Sequence, residues 1–115
     1  MSENLVVLLR EDPMTSGRPV EGLRIALGLS TGSNPLSIIL LGKARALLTE
    51  DAFDVVDADI LEKYVPAIQD LKIPLLIPKG SSEEYSIDSN FTVEEVSFPK
   101  IQSHLYDAYR VLIFG

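Results

Sequence analysis

Hydrophobic residues along this chain fall into short blocks separated by polar connections rich in glycine and proline. Residues 5–9 form an unbroken apolar run of strand length, closed by Arg10-Glu11-Asp12-Pro13. Such a run, bounded by turn formers, is the pattern of a strand buried on both faces. Residues 36–41 and 73–77 repeat it, and residues 110–114 supply a last strand. Residues 93–98 alternate only in part, which predicts an edge strand.

Between these runs the period changes to that of a helix. Val20, Leu23, Ala26 and Leu27 recur on one face, Glu21 and Arg24 face the other way, and Pro19 suits a first turn. Thr31-Gly32-Ser33-Asn34-Pro35 ends that helix. Residues 44–48 predict a short helical piece, and residues 51–56 a loop or irregular turn. From Asp57 a longer helix is expected, with Ile60, Leu61, Tyr64, Val65, Ile68 and Leu71 as its apolar face and Pro66 kinking or dividing it. Residues 81–86 read as one helical turn and residues 87–92 as a loop. Pro99 opens a final helix with Ile101, Leu105 and Ala108 inward. Apolar strands alternating with helices predict one α/β domain, a three-layer α/β/α sandwich around a mostly parallel sheet of about five strands.

Composition narrows the function classes. With 115 residues, 46% of them hydrophobic and 23% charged, the chain can build one modest core and does not read as disordered. A net charge of −7 argues against nucleic acid and anionic membranes as partners. The absence of cysteine excludes disulfides, thiolate metal sites and a cysteine nucleophile. One histidine gives no basis for a histidine-based zinc site within one chain, and no cofactor is expected. Met1-Ser2-Glu3-Asn4 runs straight into a short apolar block, which matches neither a signal peptide nor a membrane span, so a cytoplasmic location is the expectation.

In a parallel sheet, ligands approach the carboxyl ends of the strands. Three successive strand ends here carry a basic residue, namely Arg10, Lys43 and Lys79, beside Gly42, Gly80, Ser81 and Ser82. One reading is a cleft for a small anion, a nucleotide-like ligand or an acidic group of a partner; the other is ordinary solvated loop polarity. Neither a Walker pattern nor Gly-x-Gly-x-x-Gly is present, and Gly28 to Gly32 follows a helix, so it is a turn. No catalytic constellation is evident. His104 reads as a solvated or locally bonded helix histidine, and Ser81 and Ser82 have no base in view. They read instead as caps for the turn that continues into Glu83-Glu84. Asp51, Asp54, Asp57 and Asp59 lack the spacing of a calcium loop. Tyr85, Phe91 and Phe98 are expected at a subunit interface, as aromatics in otherwise polar connections.

The order of elements resembles the DsrE/DsrF/TusC-like family of small sulfur-relay proteins. The matching pieces are residues 5–9, then Gly22-Leu23-Arg24-Ile25-Ala26-Leu27-Gly28-Leu29 and Ile38-Ile39-Leu40-Leu41-Gly42. They continue with Ile68-Gln69-Asp70-Leu71-Lys72-Ile73-Pro74-Leu75-Leu76-Ile77 and Tyr109-Arg110-Val111-Leu112-Ile113-Phe114. The resemblance implies cytoplasmic homo- or hetero-oligomers, as dimers, trimers or hexamers. Active members carry a persulfide-bearing cysteine just after the third strand. The matching region here is Pro78-Lys79-Gly80-Ser81, without cysteine. Serine cannot hold transferable sulfane sulfur. The resemblance therefore implies a non-catalytic subunit that oligomerises and binds a small ligand or a partner, such as a cysteine-bearing relative. The rival expectation is an enzyme or sensor that binds a small anion through the strand-end loops.

Overall fold

The computed structural model describes residues 3–50 and 55–114. Its elements are β1 (Leu5–Leu9), α1 (Arg18–Leu29), β2 (Leu36–Leu40), a 3-10 helix (Gly42–Leu48), α2 (Ala58–Asp70), β3 (Leu75–Pro78), α3 (Ser81–Glu84), β4 (Val93–Val96), α4 (Phe98–Asp107) and β5 (Arg110–Phe114). The strands form one sheet in the order β4-β3-β2-β1-β5, with every pairing parallel. Helices lie on both faces, as expected for an α/β sandwich.

Alternation along the strands sorts the core into two layers. Val7, Leu9, Ile38, Leu40, Leu75 and Ile77 face Val20, Leu23, Leu61 and Ile68 of α1 and α2. Val6, Leu8, Ile39 and Leu76 face Ile101 of α4, with Leu105 and Val111 packed alongside. The second layer is thinner because α4 alone among the described helices covers it. Gly22 lets α1 approach the sheet closely. A Cβ placed there would collide with Leu9 Cδ2 and lie 3.2 Å from Phe114 Cγ.

Several boundaries differ from expectation for local reasons. The third strand begins at Leu75 because Lys72 turns the chain at φ 54° and Pro74 has no N–H for the ladder. Pro66 lies inside a continuous α2 and does not divide it. On that helix Leu61 and Ile68 are buried, whereas Ile60 and Leu71 are exposed, so the inward stripe is narrower than predicted. β4 is the edge strand expected there, but it stops at Val96. Ser97 takes extended backbone, and its Oγ accepts the Lys100 N–H at 3.4 Å, so Phe98 starts α4 with Pro99 in its first turn. Residues 51–54 of the predicted turn, with Asp51 and Asp54, lie outside the described residues.

Candidate functional site

The sheet places four connections at its carboxyl end. The segment after β3 packs Ile87 and Phe91 into the α1/α2 layer, whereas the one after β4 leads into α4 on the opposite face. Adjacent strands whose connections leave to opposite faces define the crevice where α/β sheets usually bind ligands. Lys79, Gly80, Ser81 and Ser82 stand at that crevice, while Arg10, Gly42 and Lys43 follow β1 and β2.

Arg45, which sequence reasoning passed over as part of a helical piece, organises this end of the molecule. Its side chain is only 10% exposed. Nε donates to the Gly42 carbonyl at 2.7 Å, Nη1 to Ser81 Oγ at 3.0 Å and Nη2 to Glu84 Oε2 at 2.8 Å. The guanidinium carbon sits 4.9 Å from the centroid of the Tyr85 ring. One planar cation thus ties the β2 loop to the β3 loop, a task suited to a fork of fixed donors. The available signal was a lone arginine in the apolar run Ala44 to Leu48, where a buried charge requires partners elsewhere.

Ser81 is fully buried and bonded on both sides. Its hydroxyl donates to the Pro78 carbonyl at 2.5 Å and accepts from Arg45. No base touches it, so it is a strut, not a nucleophile. Neither serine caps α3 through its side chain, contrary to expectation: the capping position is Gly80, at φ 91°, which glycine adopts without strain.

The N–H groups at this turn already serve an anion from the same chain. Glu95 on β4 accepts the Gly80 N–H at 2.8 Å and the Ser82 N–H at 3.4 Å, and the Ser82 hydroxyl donates to it at 2.9 Å. The Ser82 hydroxyl foremost, then the backbone N–H groups of Ser82, Gly80 and Ser81, hold this carboxyl below the usual carboxylate range against partial desolvation.

The three predicted cations follow three separate strands. Lys43 Nζ lies 4.0 Å from Asp12 Oδ2 and is largely exposed, Arg10 is exposed, and Lys79 makes no ion pair among the described residues. Gly42 takes φ 56°, which lets the chain turn out of β2 beside the Arg10 carbonyl. The strand-end residues line none of three shallow surface hollows. Among the predicted interface aromatics, Phe98 is 62% exposed, Tyr85 is half-buried against Arg45, and Phe91 is buried. Phe91 belongs to this chain's own core, which accounts for it without a partner. His104 is half-buried beside Asn4, Lys100 and Asp107, and its side chain makes no hydrogen bond among the described residues. No described group of three histidine or acidic residues is arranged to hold a metal. No described helix is long and apolar enough to cross a membrane.

No family model matches this chain, and no curated protein is similar to it in sequence. Its architecture does have solved counterparts. One is the crystal structure of the YchN protein from E. coli, which superposes with a TM-score of 0.76 over 99% of this chain and 100% of that one. The two sequences are 17% identical, so the likeness is one of fold.

Proposed function

We propose that this chain is a non-catalytic DsrE-like subunit that assembles with copies of itself and binds a partner protein, in a role linked to sulfur relay. The observation that carries this reading is the state of the turn after β3. The region that matches the family's thiol-bearing loop, Pro78-Lys79-Gly80-Ser81, has no cysteine, and its Ser81 is enclosed and bonded to Pro78 and Arg45. That turn is built for rigidity, with no group that accepts or passes on sulfur. The Glu95 carboxylate on the Gly80 and Ser82 N–H groups weighs against the rival anion-binding reading, because an incoming anion would have to displace it.

Assembly draws support from the exposed apolar side chains on one side of the molecule. Phe98, Tyr106, Tyr109 and Ile113 are 62%, 90%, 56% and 51% exposed, and all belong to α4, β5 and the turn between them. Light scattering after size exclusion at about 50 μM should give a small multiple of 12.6 kDa. A monomer across the concentration range would overturn the assembly reading. A clear thermal shift with a nucleotide or phosphorylated metabolite would favour the rival, since ligand at ~100 times Kd adds roughly 2.7 kcal/mol.

A further inference from the structure

A hollow of about 200 Å³ lies between α2, the end of the 3-10 helix and the connection after β3. Its apolar walls include Leu47, Leu61 and Phe91. Among the described residues, three carboxylates, Glu50, Glu62 and Asp88, also line it, and no lysine or arginine does. The two loops that frame it are pinned together. Thr49 and Ile87 form a bridge, and the Asp88 N–H donates to the Leu48 carbonyl at 2.8 Å. Backbone hydrogen bonds therefore hold the two framing loops together.

Size and charge together point to one kind of occupant. Pockets for free small-molecule ligands are typically about 300–1,000 Å³, so this one is small for such a ligand and suits a single long side chain. Apolar walls with acidic groups among them match a side chain whose stem is aliphatic and whose head is cationic. The carboxylates are available to it. Asp88 meets only neutral donors, the Asn90 N–H at 2.9 Å and Gln69 Nε2 at 3.5 Å. Neither Glu50 nor Glu62 is in an ion pair among the described residues. The chain's net charge of −7 would steer a basic surface toward it.

We propose that this hollow receives an arginine or lysine side chain presented by a partner protein. The inference rests on the reading of the chain as a partner-binding subunit and names the chemistry of that partner: a surface with a protruding basic residue, opposite in sign to this one. The stem would lie on Leu47, Leu61 and Phe91, and the head would meet Glu62 and Asp88 at the rim.

The test uses the whole chain, labelled with nitrogen-15, and capped tripeptides with arginine or norleucine between alanines. Norleucine keeps the stem and removes the charge. The arginine peptide should shift the amides of Leu47, Thr49, Asp88 and Phe91 saturably. It should bind about tenfold more tightly than the norleucine peptide and about tenfold more tightly than it binds the Glu62→Gln/Asp88→Asn variant, the size expected from two exposed charge pairs. Asn at position 88 keeps an oxygen for the Asn90 N–H, so the loop should hold, and unchanged amide shifts elsewhere would show it. Shifts scattered over the acidic surface, equal binding of the norleucine peptide, or undiminished binding by the folded variant would each overturn the proposal. The assembly reading has its own readout in light scattering, so either idea can fail without the other.

Discussion

Arg45 shows how one residue sets the character of the strand-end region. A buried guanidinium is tolerable only with its donors engaged, and here it binds a carbonyl, a hydroxyl and a carboxylate while stacking on Tyr85. Arg45→Met keeps the stem and deletes the fork. It should destabilise the fold by about 2–3 kcal/mol, read from the urea midpoint with an unchanged slope. A loss below about 0.5 kcal/mol, in the range of ordinary surface substitutions, would mean the strut is dispensable. Lysine should restore only part of the loss, since it offers a point charge in place of a planar fork. The sequence displayed Arg45 but not its partners, because Ser81 and Glu84 are 36 and 39 positions away and meet it only through the fold. The same holds for Glu95, whose bonds to Gly80 and Ser82 arise from the parallel pairing of β3 with β4.

Among the elements, α1 and β1 were the most legible. An unbroken apolar run and a helical stripe each announce themselves without help from distant residues, and both formed where the pattern placed them. Gly22, however, has a role that only packing reveals. Alanine at this position improves helix propensity by up to about 1 kcal/mol, yet its methyl would drive into Leu9 and Phe114. Overpacking of a dense core costs typically about 1–3 kcal/mol. Gly22→Ala should therefore destabilise by about 1–2 kcal/mol net in chemical denaturation, and a gain in stability would show that α1 can lift off the sheet freely. Elements set by competing signals were harder to read. Pro66 breaks a rule of helix interiors, yet α2 runs through it, since the packing of Leu61 and Ile68 on the sheet spans both sides of the proline. Phe98 carries a strand-like pattern, but the Ser97 cap and Pro99 claim it for α4.

For the whole molecule, the decisive fact is the uneven coverage of the sheet. The return from β4 to β5 crosses three strands with a single ten-residue helix. That leaves β5 at the sheet edge with Ile113 half-exposed beside Leu8 on the α4 face. Beyond Arg110 this edge strand is apolar and has no proline, and such an edge is a template for pairing. If copies assemble through it, Ile113→Lys should shift the light-scattering mass toward a folded monomer of 12.6 kDa. An unchanged assembly would move the contact elsewhere, and Phe98 is then the next candidate.

The sequence by itself determined the class of fold and the missing chemistry. Strand and helix periods are local, so they survive without tertiary information, and the absence of cysteine settles the question of a thiol wherever the loops go. Only the tertiary structure decided which polar residues meet. It joined Arg45 to Ser81, closed Glu95 over the Gly80 turn, withdrew Phe91 into the core, and set three carboxylates around an apolar hollow. Those juxtapositions depend on strand order, and order is fixed by which faces must be buried together, a property of the whole chain that no local window of sequence contains.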